Sequence, residues 1–454
     1  MNTDDFKRAG HELIEWIASY RDRMETLPVM SPVKPGDIAR QLPENPPTLG
    51  ENPVSFVEDL EHIVLPGITH WNHPGFFAYF PSNSDLSAVL GDIACAGLGA
   101  QGMSWQTSPA ATEIEDVVMG WMRTMLGLPD AFSGVIQDSA SSATLCALLC
   151  ARERATAFSQ NQGGLQWEAA PCVVYASDQA HSSVPKGALL AGFGKENLRL
   201  IETDEHHALR VDLLESAIHA DLASGRVPCA VVAAVGTTAT TAIDDVKRIA
   251  ELAEKHGLWL HVDAALAGTA MVLPECRGMW EGIECADSLV MNPHKWMGVG
   301  FDCSVYFVKD PQHLIRVMST NPSYLRTAQD GEVRNLRDWG VPLGRRFRAL
   351  KLWFLLRDLG VEGLQARIRR DLGNAQWLRE QVDAAPGWER LAPVPLQTLC
   401  VRHIPEELKG DEAALAAHNL GIVTRLNTGG RFYLTPAVLK GKQIIRISIG
   451  SSPT

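Results

Sequence analysis

No run of about 18 consecutive apolar residues occurs in the chain, so the sequence offers no membrane-spanning helix. Positive charge is in short supply. Lys and Arg number 41 against 53 Asp and Glu, a net charge of −12, which argues against nucleic acid or an anionic membrane as partner. The nine cysteines are scattered at positions 95, 146, 150, 172, 229, 276, 285, 303 and 400, and no two form a C-x-x-C pair. The start, Met1-Asn2-Thr3-Asp4-Asp5, lacks the basic and apolar regions of a secretory signal, so reduced thiols and a cytoplasmic protein are expected. Gly192-Phe193-Gly194 runs into Lys195-Glu196-Asn197, without the third glycine of a dinucleotide fingerprint. Walker A, H-E-x-x-H, EF-hand and G-x-S-x-G patterns are also missing, and the histidines lack metal-ligand spacing. Hydride transfer, nucleotide hydrolysis, zinc hydrolysis and serine hydrolysis lose ground together, and no metal is expected.

With 46 % hydrophobic and 21 % charged residues over 454 positions, the chain is globular in composition and enzyme-sized. Residues 1–85 read as a helical arm. Phe6, Leu13, Trp16, Ile17, Tyr20 and Met24 recur at helical spacing, and a proline-rich loop separates them from a second stripe at Phe56, Leu60, Ile63 and Val64. Two such stripes cannot bury themselves, so they are expected to lie on a larger domain or a second subunit. Residues 86–350 alternate strand and helix. Strands are predicted at Cys172–Ala176, Cys229–Val235, Leu258–Val262 and Ser288–Met291, with helices near 209–224 and 244–256, the pattern of a mostly parallel α/β sheet. Residues 351–454 read as a small α+β domain. Gly360 is expected to cap a helix, and strands at Arg431–Pro436 and Gln443–Ser448 flank Lys440-Gly441-Lys442.

Open α/β sheets bind ligands beyond the carboxyl ends of their strands, and four features stand there. Asn292-Pro293-His294-Lys295 follows one strand, and a lysine made partly neutral by burial can form a Schiff base. Asp263 ends another before Ala264-Ala265; a carboxylate there could keep a pyridine nitrogen protonated. Ser139-Ala140-Ser141-Ser142 opens an apolar helix, where hydroxyls and free N–H groups suit a phosphate, although Asp138 would repel one unless its side chain turns away. His181, past the Cys172 strand, could stack on a cofactor ring and assist proton transfer. Each has an ordinary explanation alone: a solvated lysine, a turn aspartate, an N-cap, a core histidine. Together they fit one cofactor.

The strings DQAHSSV, GTTATT, HVDAALAG, NPHKW, FDCS and PLGRRFR, with HWNHPGFFAYFP near residue 70, closely resemble the group II pyridoxal-phosphate decarboxylases, in the aromatic-L-amino-acid branch. The resemblance runs from about residue 6 to about 450 and implies fold type I, pyridoxal 5'-phosphate as cofactor and an obligate homodimer with its site between subunits. It makes Lys295 the Schiff-base lysine, Asp263 the ring-nitrogen partner and His181 the stacking residue. Ala140, Ser141 and Asn292 would hold the phosphate, and Thr238 would lie near the ring. Trp71, Tyr79, Phe80 and His294 would face the substrate. Tyr324, in Asn321-Pro322-Ser323-Tyr324-Leu325, matches the family's proton-transfer tyrosine; the polar composition from Met318 to Gly331 predicts a mobile lid around it.

The implied reaction is loss of CO2 from an aromatic L-amino acid to give the amine. Trp71, Phe76, Phe77, Tyr79 and Phe80 suit a flat side chain, whereas a glutamate-specific pocket would need a basic clamp for the distal carboxylate. Gly344 resembles the aromatic branch rather than the histidine decarboxylases. Leu266, Gln101 and Met103 depart from the usual pattern and leave dihydroxyphenylalanine, tyrosine, tryptophan and 5-hydroxytryptophan open, with RVMSTNPSYL tipping toward dihydroxyphenylalanine. Arg345, Arg346, Arg348 and Lys351 read as a solvated or salt-bridged helix face. An aromatic aldehyde synthase and a non-catalytic, cofactor-free dimer are the rival readings.

Overall fold

Short runs of valine, alanine and other small apolar residues, too short for helices and bounded by turns, form strands covered on both faces. In the computed structural model, which describes residues 1–320 and 331–452, they build a seven-stranded sheet. Its strands are β1 (Ser133–Gln137), β2 (Cys172–Ser177), β3 (Leu198–Ile201), β4 (Val227–Ala234), β5 (Trp259–Asp263), β6 (Ser288–Met291) and β7 (Ser304–Val308). The order is β1-β7-β6-β5-β4-β2-β3. The β3, β2, β4, β5 and β6 neighbours pair parallel, while β7 runs antiparallel to both β6 and β1. Thus β1, β2, β4, β5 and β6 all point the same way, and their carboxyl ends share one edge. Every residue of β2, β5, β6 and β7 is buried.

The chain divides into two compact units, residues 82–401 and residues 1–81 with 402–454. The larger contains the seven-stranded sheet and the crossover helices predicted near 209–224 and 244–256, found at Val211–Ala223 and Val246–His256. The latter starts at Asp245, whose side chain accepts the Arg248 N–H, and stops at Gly257, φ +69°. Gly360, φ +62°, ends one helical arm as expected, but a second arm follows at once and runs to Ala384, anchored by buried Leu364 and Ile368.

In the other unit, Asn2 caps the helix Thr3–Asp22 by accepting the Asp4 and Asp5 N–H groups. Trp16 Nε1 donates to Glu61 at 2.8 Å, and the Arg23 guanidinium beside it pulls the Glu61 pKa down to about 2. The hairpin predicted near the end is antiparallel, but its first strand is Thr435–Leu439, not Arg431–Pro436. The cause is Asn427, whose side chain accepts from Leu434 N–H and donates to Leu434 C=O, occupying both backbone groups before pairing can begin. Lys440 and Gly441, both at positive φ, make the two-residue turn. No helix among the described residues is long and apolar enough to cross a membrane.

Candidate active site

Five segments named from the sequence lie at the carboxyl ends of five of the six co-directional strands: Ser139–Ser141 after β1, His181 after β2, Thr238 after β4, Asp263 ending β5, and Asn292–Lys295 after β6. The topology therefore gathers at one sheet edge residues spread over about half of the larger unit.

Lys295 lies half-buried in a single π-helical turn, Pro293–Met297, closed by Gly298 at φ +104°. Neighbours hold this turn from several sides. Asn83 N–H donates to Lys295 C=O at 3.2 Å, Ser82 Oγ to His294 C=O at 3.2 Å, and Asp85 N–H to Gly298 C=O at 2.9 Å. On the far side, Trp296 Nε1 donates to buried Asp371 at 2.8 Å. The lysine's backbone is fixed while its long side chain leaves the turn.

Asp263 is nearly buried, and one of its oxygens accepts the Ala265 N–H at 3.1 Å. His181 is exposed at the mouth of the edge, and its Nδ1 accepts the Ser183 N–H at 3.1 Å, with Ser183 Oγ at 2.8 Å. That bond puts the proton of neutral imidazole on Nε2. Although part of the ring reaches solvent, the protein packed around the rest desolvates it and lowers the His181 pKa; the negative charge of Asp263 opposes the shift and the ammonium of Lys295 adds to it. Under Asp263, His261 is fully buried, with Nδ1 2.9 Å from Ser288 Oγ; burial drives its pKa down to about 4 and keeps it neutral.

The helix Ala140–Ala155 begins at Ser139, whose Oγ accepts the Ser142 N–H at 3.2 Å. Ser141 is exposed in the first turn, where the backbone N–H groups of a helix are unpaired and directed outward. Asn292 is buried, and its Oδ1 accepts the Ser304 hydroxyl, which turns the amide's Nδ2 donor the other way. Thr238 is exposed on the loop after β4, where Gly236 at φ +86° packs so closely that a Cβ there would stand 2.7 Å from Ala267 Cβ. His294 is buried; its Nδ1 accepts the Cys303 N–H at 2.9 Å, and burial first, then Lys295, lowers its pKa to about 4.

The basic stretch at 345–351 is salt-bridged, and two of its members are buried. Arg345 pairs with buried Glu115 at 3.0 Å, while Gln101 Oε1 accepts the Arg345 N–H at 2.7 Å. Arg348 grips Asp302 through two bonds of 3.1 and 3.0 Å, and Lys351, 1 % exposed, reaches Asp92 at 3.1 Å and Gly300 C=O at 2.9 Å. Of the two expected states, solvated or salt-bridged, the second holds, and Arg345 and Lys351 are buried as well.

Trp71, Tyr79 and Phe80 belong to the smaller unit. Trp71 stacks on Tyr79 with centroids 5.6 Å apart, Tyr79 Oη lies 3.3 Å from Tyr433 Oη, and the Arg446 guanidinium sits 4.5 Å over the Phe80 ring. Trp71 and Tyr79 stay exposed and Phe80 is buried. Tyr324 and most of the loop around it lie outside the described residues.

Residues 35–403 match the conserved domain of pyridoxal-dependent decarboxylases. The chain belongs to that family. Among its relatives, phenylacetaldehyde synthase from Arabidopsis thaliana is 39 % identical, with 100 % of this chain and 93 % of that protein covered. Aromatic-L-amino-acid decarboxylase from Bos taurus is 40 % identical over 99 % of this chain and 93 % of its own. The crystal structure of Oryza sativa TDC with PLP and tryptamine superposes with a TM-score of 0.96 at 36 % identity, covering 100 % of this chain and 94 % of that one.

Pyridoxal phosphate is thus the cofactor of this family member, and the residues at the sheet edge fit it. A helix start with an exposed serine and the Asn292 amide suit a phosphate. Asp263, with one oxygen engaged by Ala265, suits a ring nitrogen, and Lys295 suits an aldehyde carbon. The sequence did not reveal the residues that orient these groups: Ser183 for His181, Ser304 for Asn292, Asp371 for the lysine turn. Ser183 lies two positions from His181, close enough for its local bond to be anticipated; nothing in sequence points to Ser304 or Asp371.

Proposed function

We propose that this family member decarboxylates an aromatic L-amino acid, L-dopa before tyrosine, tryptophan or 5-hydroxytryptophan, to the amine and CO2. The observation that carries the reading is that His181, Asp263 and Lys295 stand at the carboxyl ends of the neighbouring parallel strands β2, β5 and β6 with β4 between, at the one edge where the cofactor would lie. When bound, pyridoxal phosphate supplies an electron sink for the pair freed at the substrate's Cα. Lys295 would hold the cofactor covalently through Nζ and, once displaced by the substrate's amine, serve as the returning amine at product release. Asp263 would keep the ring nitrogen protonated, which the sink requires. His181, neutral and carrying its hydrogen on Nε2, would cover one ring face, and Ala140, Ser141 and Asn292 would bind phosphate with Thr238 beside the ring. Tyr324 is our candidate for returning a proton to Cα.

The aromatic class is supported by the Trp71–Tyr79 stack with its exposed faces, and His294 joins the proposed substrate contacts. We assign the protein as a homodimer because Leu86, Leu90 and Ile93 on one helix, and Val117 and Trp121 on the next, stay exposed.

An aldehyde synthase is the second reading, favoured by the 39 % identity to a phenylacetaldehyde synthase. That reaction consumes the amino acid, O2 and water and yields aldehyde, CO2, NH3 and H2O2. Retention of Tyr324 speaks for the amine. The test incubates holoenzyme with each aromatic amino acid and with glutamate, in air and under nitrogen, and measures CO2, amine, aldehyde and H2O2. Amine in equal amount to CO2 in both atmospheres is expected; oxygen-dependent aldehyde with stoichiometric H2O2 would replace this reading with the second. In Tyr324→Phe, amine formation should fall steeply, and an unchanged rate removes Tyr324 from the mechanism.

A further inference from the structure

Asp138 stands between β1 and the helix Ala140–Ala155, one residue before that helix's N-cap. Its side chain has not turned away from the helix start. Asp138 Oδ2 accepts the hydroxyl of Ser139 at 3.0 Å and that of Ser142 at 3.0 Å. Ser139 Oγ uses a lone pair for the Ser142 N–H, so both hydroxyls nearest the helix end have given their hydrogens to the carboxylate. A cation is within its field: the negative charge of Asp138 is felt at Arg348. Arg348, however, spends two nitrogens on Asp302. Arg348 is paired with Asp302 and reaches Asp138 only through its charge.

We propose that Asp138 makes this enzyme's hold on the phosphate of pyridoxal phosphate weak and exchangeable, placing a negative charge at the phosphate's helix and withdrawing two hydroxyl donors from it. The proposal rests on the assignment of Ala140 and Ser141 to the phosphate. Backbone N–H groups of the first turn and Ser141 Oγ remain as donors, enough to bind but opposed by a like charge. The enzyme then loses cofactor when the supply falls, and its active fraction follows the free pyridoxal phosphate concentration.

The test titrates cofactor-free protein with pyridoxal phosphate, and separately with phosphate-free pyridoxal, following absorbance and tryptophan fluorescence. Asp138→Asn and Asp138→Ser should each bind pyridoxal phosphate about tenfold more tightly, as expected for removing one unit charge beside a dianion in water-like surroundings. Pyridoxal affinity should not move, and the gain should shrink with added salt. Two substitutions guard against one that only disturbs the cap, and thermal melts of the cofactor-free proteins check folding. Ser141→Ala separates the assumptions, because it should weaken pyridoxal phosphate alone. If Ser141→Ala does so while both Asp138 variants bind no tighter than wild type, Asp138 is only a cap and the proposal is overturned. If Ser141→Ala changes nothing, the phosphate lies elsewhere and the proposal falls with that assignment.

Discussion

Ser183 donates its backbone N–H to His181 Nδ1 at 3.1 Å, two residues along the chain, and thereby decides which nitrogen of His181 carries hydrogen. Because the donor is main chain, Ser183→Ala should keep the tautomer and change turnover less than about threefold, within the usual worth of one neutral hydrogen bond. His181→Gln removes the ring itself. Its kcat should fall by about 10²-fold, the lower range of acid–base assistance, with the cofactor retained by absorbance. A His181→Gln enzyme near wild-type kcat would exclude His181 from the reaction.

Lys295→Ala should abolish steady turnover. Borohydride reduction of holoenzyme followed by peptide mapping should place the cofactor on Lys295; a label on any other lysine refutes the assignment. Asp263→Ala should still take up some cofactor and lose nearly all decarboxylation, since the ring nitrogen would no longer be held protonated.

Ser304 and Asn292 sit on adjacent antiparallel strand ends, with the serine hydroxyl donated to Asn292 Oδ1. Ser304→Ala frees the amide to rotate. Cofactor affinity should drop by about fivefold, the equivalent of roughly 1 kcal/mol for one such bond, while kcat at saturating cofactor stays close to wild type. An equal loss in kcat at saturation would show instead that the lysine turn had shifted.

Arg345 and Glu115 form a buried pair, with side chains 6 % and 2 % exposed. Arg345→Leu strands the carboxylate and should destabilise the protein by about 3–5 kcal/mol, read as a lower urea midpoint. Replacing both, with Glu115→Leu added, should recover part of that loss.

His261 and His294 carry pKa values near 4 in place of 6.5 because both are buried. The folded values lie below the unfolded ones, so the unfolded chain binds protons that the folded chain refuses between pH 6.5 and 4. Their contribution is complete above 6.5 and is lost as pH falls toward 4. Urea midpoints should therefore drop between pH 7 and 5, with a shallower drop in His261→Gln. Parallel slopes for the two proteins would show that His261 does not titrate in this range.

Local chemistry made much of this protein legible before its fold was known. Strands β2, β5 and β6, fully buried, and β4, buried beyond Val227, are written as apolar runs because a two-sided sheet admits little else, and Asp263 and Asn292–Lys295 stand out because polar residues interrupt those runs at their ends. Strand β7 did not show itself, since antiparallel entry at a sheet's interior leaves no mark that distinguishes it from another apolar run. Gly360 does stop one helical arm, but a second, with Leu364 and Ile368 buried, follows at once, so the stop became a kink. What no sequence pattern could decide was partnership at a distance. Asn427 takes the backbone of Leu434, Ser304 aims Asn292, Asp371 braces Trp296, and Glu115 draws Arg345 inside. Periodicity fixes which face a residue presents to its own element; only the assembled fold sets which polar group waits opposite, and burial then makes that meeting obligatory.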